Sequence, residues 1–502
     1  MKSIKLNPTS ISFIPIFIFI PVIFEIVKNF HIGGIYLFIN FLFSAIQPEI
    51  NNEITFRLVN RIFETLFIAF TSWSVSIIFG LILGILSSDI FYRILKINSF
   101  FKHLIRTILV IIRSLHELVW GIILMQIYGI NFSIAIISIS IPYIAINAKV
   151  ITEQLSNIKE EIIVSIEQSN QKKFSSLLTL AWSPIIKTLS NFGIYRLECC
   201  LRSTAILGLF GLGGIGTSIY LSFQTLNFRE LWTYLWALSF LILLVNKFTR
   251  KIKFEKLNPK ISIFLVIIGI LIFFYSLIYT LYFVSHISNQ TQFLFDNFYF
   301  SKVNLSFREF KNLTFETILL SLSATAIALS MPPFLYIFFN HKYVKILIQC
   351  STFFLRVVPT PIILLIFLMF NQPTLSIAAL ALGLHNAGIL SKILSTNLNS
   401  TNPANYIAIK SIGSSNKVSL LLGIFSTQAK SYLAYAAYRS DILFRETIIL
   451  GLVGSVGLGW QLQESLSSFA WNEVLIILLI YSSIAIIGEL INGKITSTFS
   501  KI

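Results

Sequence analysis

The chain has 502 residues, 55% of them hydrophobic and 12% charged, with a mean hydropathy of +0.81. That excludes an ordinary soluble globular protein, in which about a quarter of residues are charged. The net charge of +17 raises nucleic-acid binding, but the basic residues sit in short clusters between apolar runs, which is a topology signal rather than a nucleic-acid face.

Apolar runs near the ~20 residues that cross a ~30 Å hydrocarbon core recur along the chain. In order they are Ile11–Val27, Ile62–Leu86, Leu104–Ile127, Phe132–Val150, Leu177–Leu197 and Leu231–Val245, then Ile261–Phe283, Thr314–Phe339, Val344–Phe370, Leu375–Leu394, Leu420–Leu443 and Val474–Ile491. The expected fold is an all-α membrane protein of about 12 transmembrane helices in two homologous six-helix halves. The first run lacks a small-residue cleavage site and reads as a retained helix. The expected domains are a first half 1–245, a basic linker 246–260 and a second half 261–502. With twelve spans, the clusters at Lys2/Lys5, Arg93/Lys96/Lys102, Lys172/Lys173, Lys247–Lys260, Lys342/Lys345, Lys410/Lys417 and Lys494/Lys501 fall on one side. The positive-inside rule makes that side, and both termini, cytoplasmic.

The halves are related by repetition. Tyr195-Arg196-Leu197-Glu198 with Arg202-Ser203-Thr204 recurs as Tyr438-Arg439-Ser440-Asp441 with Arg445-Glu446-Thr447, an offset of 243. The same offset carries Arg113 onto Arg356, Lys149 onto Lys392 and Glu230 onto Glu473. Phe63-Glu64-Thr65 matches Phe315-Glu316-Thr317 at 252, so the first copy holds nine more residues (252 − 243), placed around Ser88–Lys102.

Two nucleotide-like motifs lack their context. Gly211–Gly216 fits G-x-G-x-x-G but follows a membrane segment instead of a strand. Gly488–Lys494 fits G-x-x-x-x-G-K, yet Ile495 stands where Ser or Thr is needed. The three cysteines and six histidines show neither a disulfide framework nor a metal spacing, and no cofactor is implied.

The pairs Glu198/Arg202 and Asp441/Arg445 are spaced i,i+4, the acid one turn ahead of the base. Ionisable groups at membrane depth face a bundle interior or a wet cavity. The pairs either neutralise themselves or, with Arg113, Arg356, Lys149, Lys392, Arg196 and Arg439 as cations lacking an obvious local acid, ring an anion pathway. Lys149 and Lys392 read as cytoplasmic anchors of helix ends. The glycines that follow, Gly208, Gly211, Gly214 and Gly216, then Gly451, Gly454, Gly457 and Gly459, admit two readings. They allow close helix packing, or a broken backbone that dips back into the bundle as an external gate. Finally, Ile151–Ser176 and Ser395–Ser419 are long for connecting loops. Ala408 to Gly413, followed by Ser414-Ser415-Asn416-Lys417, reads as helix, glycine break and helix, a docking element at the membrane surface.

These residues resemble the permease of phosphonate ABC transporters, the membrane component of binding-protein-dependent importers. The stretches that carry the resemblance are Arg113-Ser114-Leu115-His116-Glu117-Leu118-Val119-Trp120, His385-Asn386-Ala387-Gly388-Ile389-Leu390-Ser391-Lys392, Tyr195–Thr204 and Gly451–Gly459. The resemblance covers roughly 56–251 and 314–493, two permease domains fused in tandem. It implies an importer-type ABC permease fold without catalytic residues or a cofactor of its own. It also implies two cytoplasmic ATP-binding subunits and an external (periplasmic) substrate-binding protein that delivers phosphonate, phosphite or phosphate across a bacterial plasma (inner) membrane. The ATP-binding subunits of such systems grip a cytoplasmic helix-turn-helix, onto which Ala408 and Gly413 map. Ile407 stands where its glutamate belongs, and in the first half Val164-Ser165-Ile166 and Asn170 depart further, so unequal coupling of the halves is expected. An ABC permease for another solute and a parallel-repeat secondary transporter are the alternatives.

Overall fold

A computed structural model describes residues 8–168, 173–251, the single positions 271, 274, 275 and 278, then 305–339, 342–454 and 456–500. The protein is an all-α membrane protein. Among the described residues, seven helices are long and apolar enough to cross a bilayer, or ten if each of three bent pairs counts as one span. The expected span Ile261–Phe283 lies almost wholly outside the described residues.

Contacts divide the chain into two units, Gln47–Tyr299 and Met1–Ile46 with Phe300–Ile502. Within the first, the long helices are α1 (Asn52–Leu86), α2 (Phe100–Ser114), α3 (Glu117–Tyr128), α4 (Phe132–Ser156), α5 (Lys173–Gly208), α6 (Ile215–Gln224) and α7 (Phe228–Lys251). The helix α7 runs on through the first residues assigned to the linker 246–260. Within the second unit the counterparts are α8 (Phe307–Phe338), α9 (Lys342–Val357), α10 (Thr360–Leu368), α11 (Leu375–Ser400), α12 (Ser426–Gly454), α13 (Gly457–Ser467) and α14 (Trp471–Ser500).

Local chemistry sets the helix starts. The Asn51 side chain accepts from the Ile54 amide at 2.7 Å to open α1, and Ser306 with Glu309 forms a capping box on α8. Along α1 the buried Ser72 and Ser76 hydroxyls donate back to Ile68 and Trp73 carbonyls, which satisfies polar groups internally and leaves a narrow face for α4.

Two expected spans are not straight. The run Leu104–Ile127 breaks into α2 and α3 at 87°, and Val344–Phe370 breaks into α9 and α10 at 103°. Leu115 and His116 adopt extended backbone, and the His116 ring nitrogen accepts from the Leu118 amide to start α3 afresh. In the second unit Pro359 precedes Thr360-Pro361, and proline cannot continue the i→i−4 ladder. The carbonyls of Leu355 and Val358 at that break meet the His385 ring at 3.0 and 3.1 Å.

The N-terminal residues also depart from expectation. The expected Ile11–Val27 helix includes a 3-10 stretch, Ile14–Ile18, and is followed by a second apolar helix, Gly33–Ser44. Both belong to the unit built from the C-terminal half. The Asn371 side chain donates to the Ile26 carbonyl at 2.7 Å, Ser376 donates to Glu25, and the rings of Phe13 and Phe425 meet edge-on at 5.8 Å.

Candidate functional site

The repeat is reproduced bond by bond at the turn after α5 and α12. In the first unit Glu64 accepts from the Gly214 amide at 3.0 Å and Thr65 accepts from the Ile215 amide at 2.8 Å. In the second, Glu316 accepts from Gly457 at 3.3 Å and Thr317 from Leu458 at 2.9 Å. These are the free N–H groups that open α6 and α13, so each Glu-Thr pair caps a short helix that turns back toward the first long helix of its unit. Gly214 and Gly457 have φ of +78° and +64°, and a Cβ on either would lie within 2.8 Å of the capping threonine hydroxyl.

One turn further the backbones touch. The Cα of Gly216 lies 2.8 Å from the Cβ position of Gly208, and that of Gly459 lies 2.7 Å from that of Gly451. Close packing therefore accounts for Gly208, Gly216, Gly451 and Gly459, while Gly211 has open space and Gly454 faces Leu364.

The charged residues sort into two sets. Glu198 with Arg202, and Asp441 with Arg445, form direct ion pairs along their helices, and both acids are buried. A second set gathers around the other arginines. In the second unit Arg439 donates to Glu446 at 3.0 Å and to the Asn386 carbonyl oxygen at 2.6 Å, while the Asn386 amide donates to Glu446 at 2.9 Å. Arg439 thus has a local acid and is no surplus cation, contrary to the sequence expectation. Lys149 likewise reaches Glu153 at 3.8 Å.

In the first unit the Arg196 guanidinium lies over the Tyr143 ring at 4.8 Å. The Tyr143 and Ser203 hydroxyls meet at 2.8 Å, and Ser203 donates to Glu117 at 2.5 Å. Glu117 also stands 3.4 Å from the His116 ring. Tyr143 and Asn386 are equivalent in the repeat, as are Ser203 and Glu446, and Glu117 and Thr360. Each arginine therefore keeps a buried carboxylate in its network, supplied by α3 in one unit and by α12 in the other. Glu117, Glu446, Tyr143 and Asn386 were missed as site residues because comparing identical charges at a fixed offset passes over positions where the copies differ.

Arg113 and Arg356 occupy the last turns of α2 and α9, just before the breaks, where a cation meets the negative helix end. Arg356 is buried with its guanidinium 5.5 Å over the Phe353 ring, and Arg113 is half-buried. Ala408 lies on an exposed helix, Ala404–Ser411, and Gly413 (φ +87°) turns the chain into the helix Asn416–Ser419. Among the described residues, no group of three or more His, Cys, Asp or Glu is arranged to hold a metal.

No family model matches the chain. It is 33% identical over 100 residues to a Stutzerimonas stutzeri protein described as a phosphite transport system permease, covering 20% of this chain and 38% of that one. A second Stutzerimonas stutzeri phosphite transport system permease protein is 28% identical over 120 residues, 24% of this chain and 44% of that one. The alignments thus span less than half the length of either phosphite permease. A Mycolicibacterium smegmatis phosphate-import permease protein is 21% identical over 417 residues, which is 78% of this chain and 77% of that one. The likeness is to transport permeases, across both halves. That long alignment fits two permease domains fused in tandem.

Proposed function

We propose that the chain is the transmembrane permease of an ATP-driven importer for phosphonate or a related phosphorus oxyanion, phosphite or phosphate. The observation that carries this reading is the likeness over 417 residues to a phosphate-import permease, which spans both halves rather than one motif. The paired capping of α6 and α13 by Glu-Thr supports it, because the halves share tertiary hydrogen bonds as well as sequence. In this reading the protein lies in a bacterial inner membrane with both termini cytoplasmic. ATP hydrolysis belongs to two cytoplasmic ATP-binding subunits, one of which grips the exposed Ala404–Ser411 helix and its Gly413 turn. A periplasmic binding protein captures the anion. Arg113, Arg356 and the buried networks around Arg196 and Arg439 border the translocation pathway, and the glycine-rich turns before α6 and α13 close its outer end.

The test is uptake into proteoliposomes holding the chain, its co-purifying ATP-binding subunit and the binding protein. Accumulation of phosphite, methylphosphonate or phosphate should require enclosed ATP and survive collapse of ion gradients. Uptake driven by a proton or sodium gradient without ATP would make the protein a secondary carrier instead.

A further inference from the structure

The nine extra residues of the first half form a structure with no counterpart among the described residues of the second. They build the helix Asp89–Leu95, capped by Ser88, whose hydroxyl accepts from the Phe91 amide at 3.3 Å. This helix packs Ile90 and Ile94 into a buried cluster with Ile151, Leu155, Ile163 and Ile185. Ile163 belongs to the helix Glu160–Gln168, and Arg93 meets Glu160 of the same helix at 2.8 Å. At the other end Asp89 is held by Lys102 at 2.9 Å and Arg106 at 3.0 Å, both on α2. The Lys102 ammonium, with Arg106, keeps the Asp89 carboxyl below its ordinary pKa.

By the repeat offset, Glu160–Gln168 is the first-half equivalent of the exposed helix Ala404–Ser411. The second copy is held differently. Its Tyr406 backbone lies against Gly423, where a Cβ would come within 2.7 Å of the Tyr406 Cα. Gly413 and Ser414, whose hydroxyl donates to the Ile409 carbonyl at 2.7 Å, complete the turn. The first half has Asn170 at the Gly413 position and Leu180 at the Gly423 position. By sequence, then, the first copy lacks both glycines of this clasp.

We propose that the helix Asp89–Leu95 is a built-in brace that replaces this glycine clasp and positions Glu160–Gln168 as the first half's surface for an ATP-binding subunit. The docking role rests on the function proposed above; the brace itself rests on the packing alone. Through Asp89 it also ties that surface to α2, the helix that ends at Arg113 and the α2–α3 break.

Hydrogen exchange on the full chain in detergent tests the brace without any partner. Ile94→Asp should raise exchange of the 160–168 amides at least tenfold and leave 404–411 unchanged. Ile94→Ala, which buries no charge, should act in the same direction with smaller amplitude. Unchanged protection of 160–168 in both variants would overturn the brace. In pull-downs quantified by native mass spectrometry, wild type should carry two ATP-binding subunits per chain and Ile94→Ala one. Two retained in the variant would overturn the positioning role. A wild type that carries none would refute the importer reading and leave the exchange result standing.

Discussion

The exchange of carboxylates between the two halves makes a specific demand. Glu446→Ser gives the second half the residue that the first has at Ser203, and removes the carboxylate that Arg439 meets at 3.0 Å. The Arg439 side chain is only 7% exposed, so water does not replace the lost partner. Breaking a buried pair from one side costs about 3 to 5 kcal/mol, roughly a 10²- to 10⁴-fold fall in the folded-to-unfolded ratio. Adding Thr360→Glu places the acid where the first half carries Glu117, and should recover most of that loss. The mirrored pair, Glu117→Thr followed by Ser203→Glu, should move stability in the same directions, the first change removing the carboxylate that Ser203 meets at 2.5 Å. Thermal unfolding in detergent, followed by size exclusion, reads all four variants beside wild type. A Glu446→Ser protein as stable as wild type, or double variants no better than the singles, would refute the idea that the two carboxylates are interchangeable.

Other consequences concern the turns. Gly216→Ala and Gly459→Ala place a Cβ within 2.1 and 2.5 Å of backbone carbonyls, so each should cost about 1 to 3 kcal/mol in thermal unfolding. Gly488→Ala, whose Cβ meets nothing within 4 Å, should be neutral or slightly stabilising. Thr65→Val and Thr317→Val strip the acceptor from the Ile215 and Leu458 amides, and should each lower stability by about 1 to 3 kcal/mol. Gly413→Ala has room for its Cβ but not a favoured φ, so about 1 to 3 kcal/mol of backbone strain should weaken capture of one ATP-binding subunit in a pull-down.

Much of the helical order was legible because hydropathy and the 243-residue offset act over long stretches. The offset maps Phe132–Ser156 onto Leu375–Ser400 and Ile215–Gln224 onto Gly457–Ser467 almost residue for residue. The breaks inside two expected spans were not legible from hydropathy, which is blind to backbone direction. Pro359 and Pro361 could have signalled one of them, although Val344–Phe370 reads as a single run, whereas Leu115 and His116 carry no such mark. Gly33–Ser44 is too short to register as a span, and its packing with the C-terminal half is a long-range choice that no local pattern encodes. At the candidate site, the i,i+4 pairs were readable from spacing alone. The Arg439–Glu446 contact was not, because seven residues separate the partners and Asn386 on another helix completes the network. The Glu-Thr pairs were visible as matched triplets, but their capping role needed the fold.

If one chain supplies both halves of an ATP-driven importer, native mass spectrometry of the gently extracted complex should find one copy of this chain with two ATP-binding subunits. Two copies of this chain in the smallest active complex, or an active chain with no ATP-binding subunit, would contradict it.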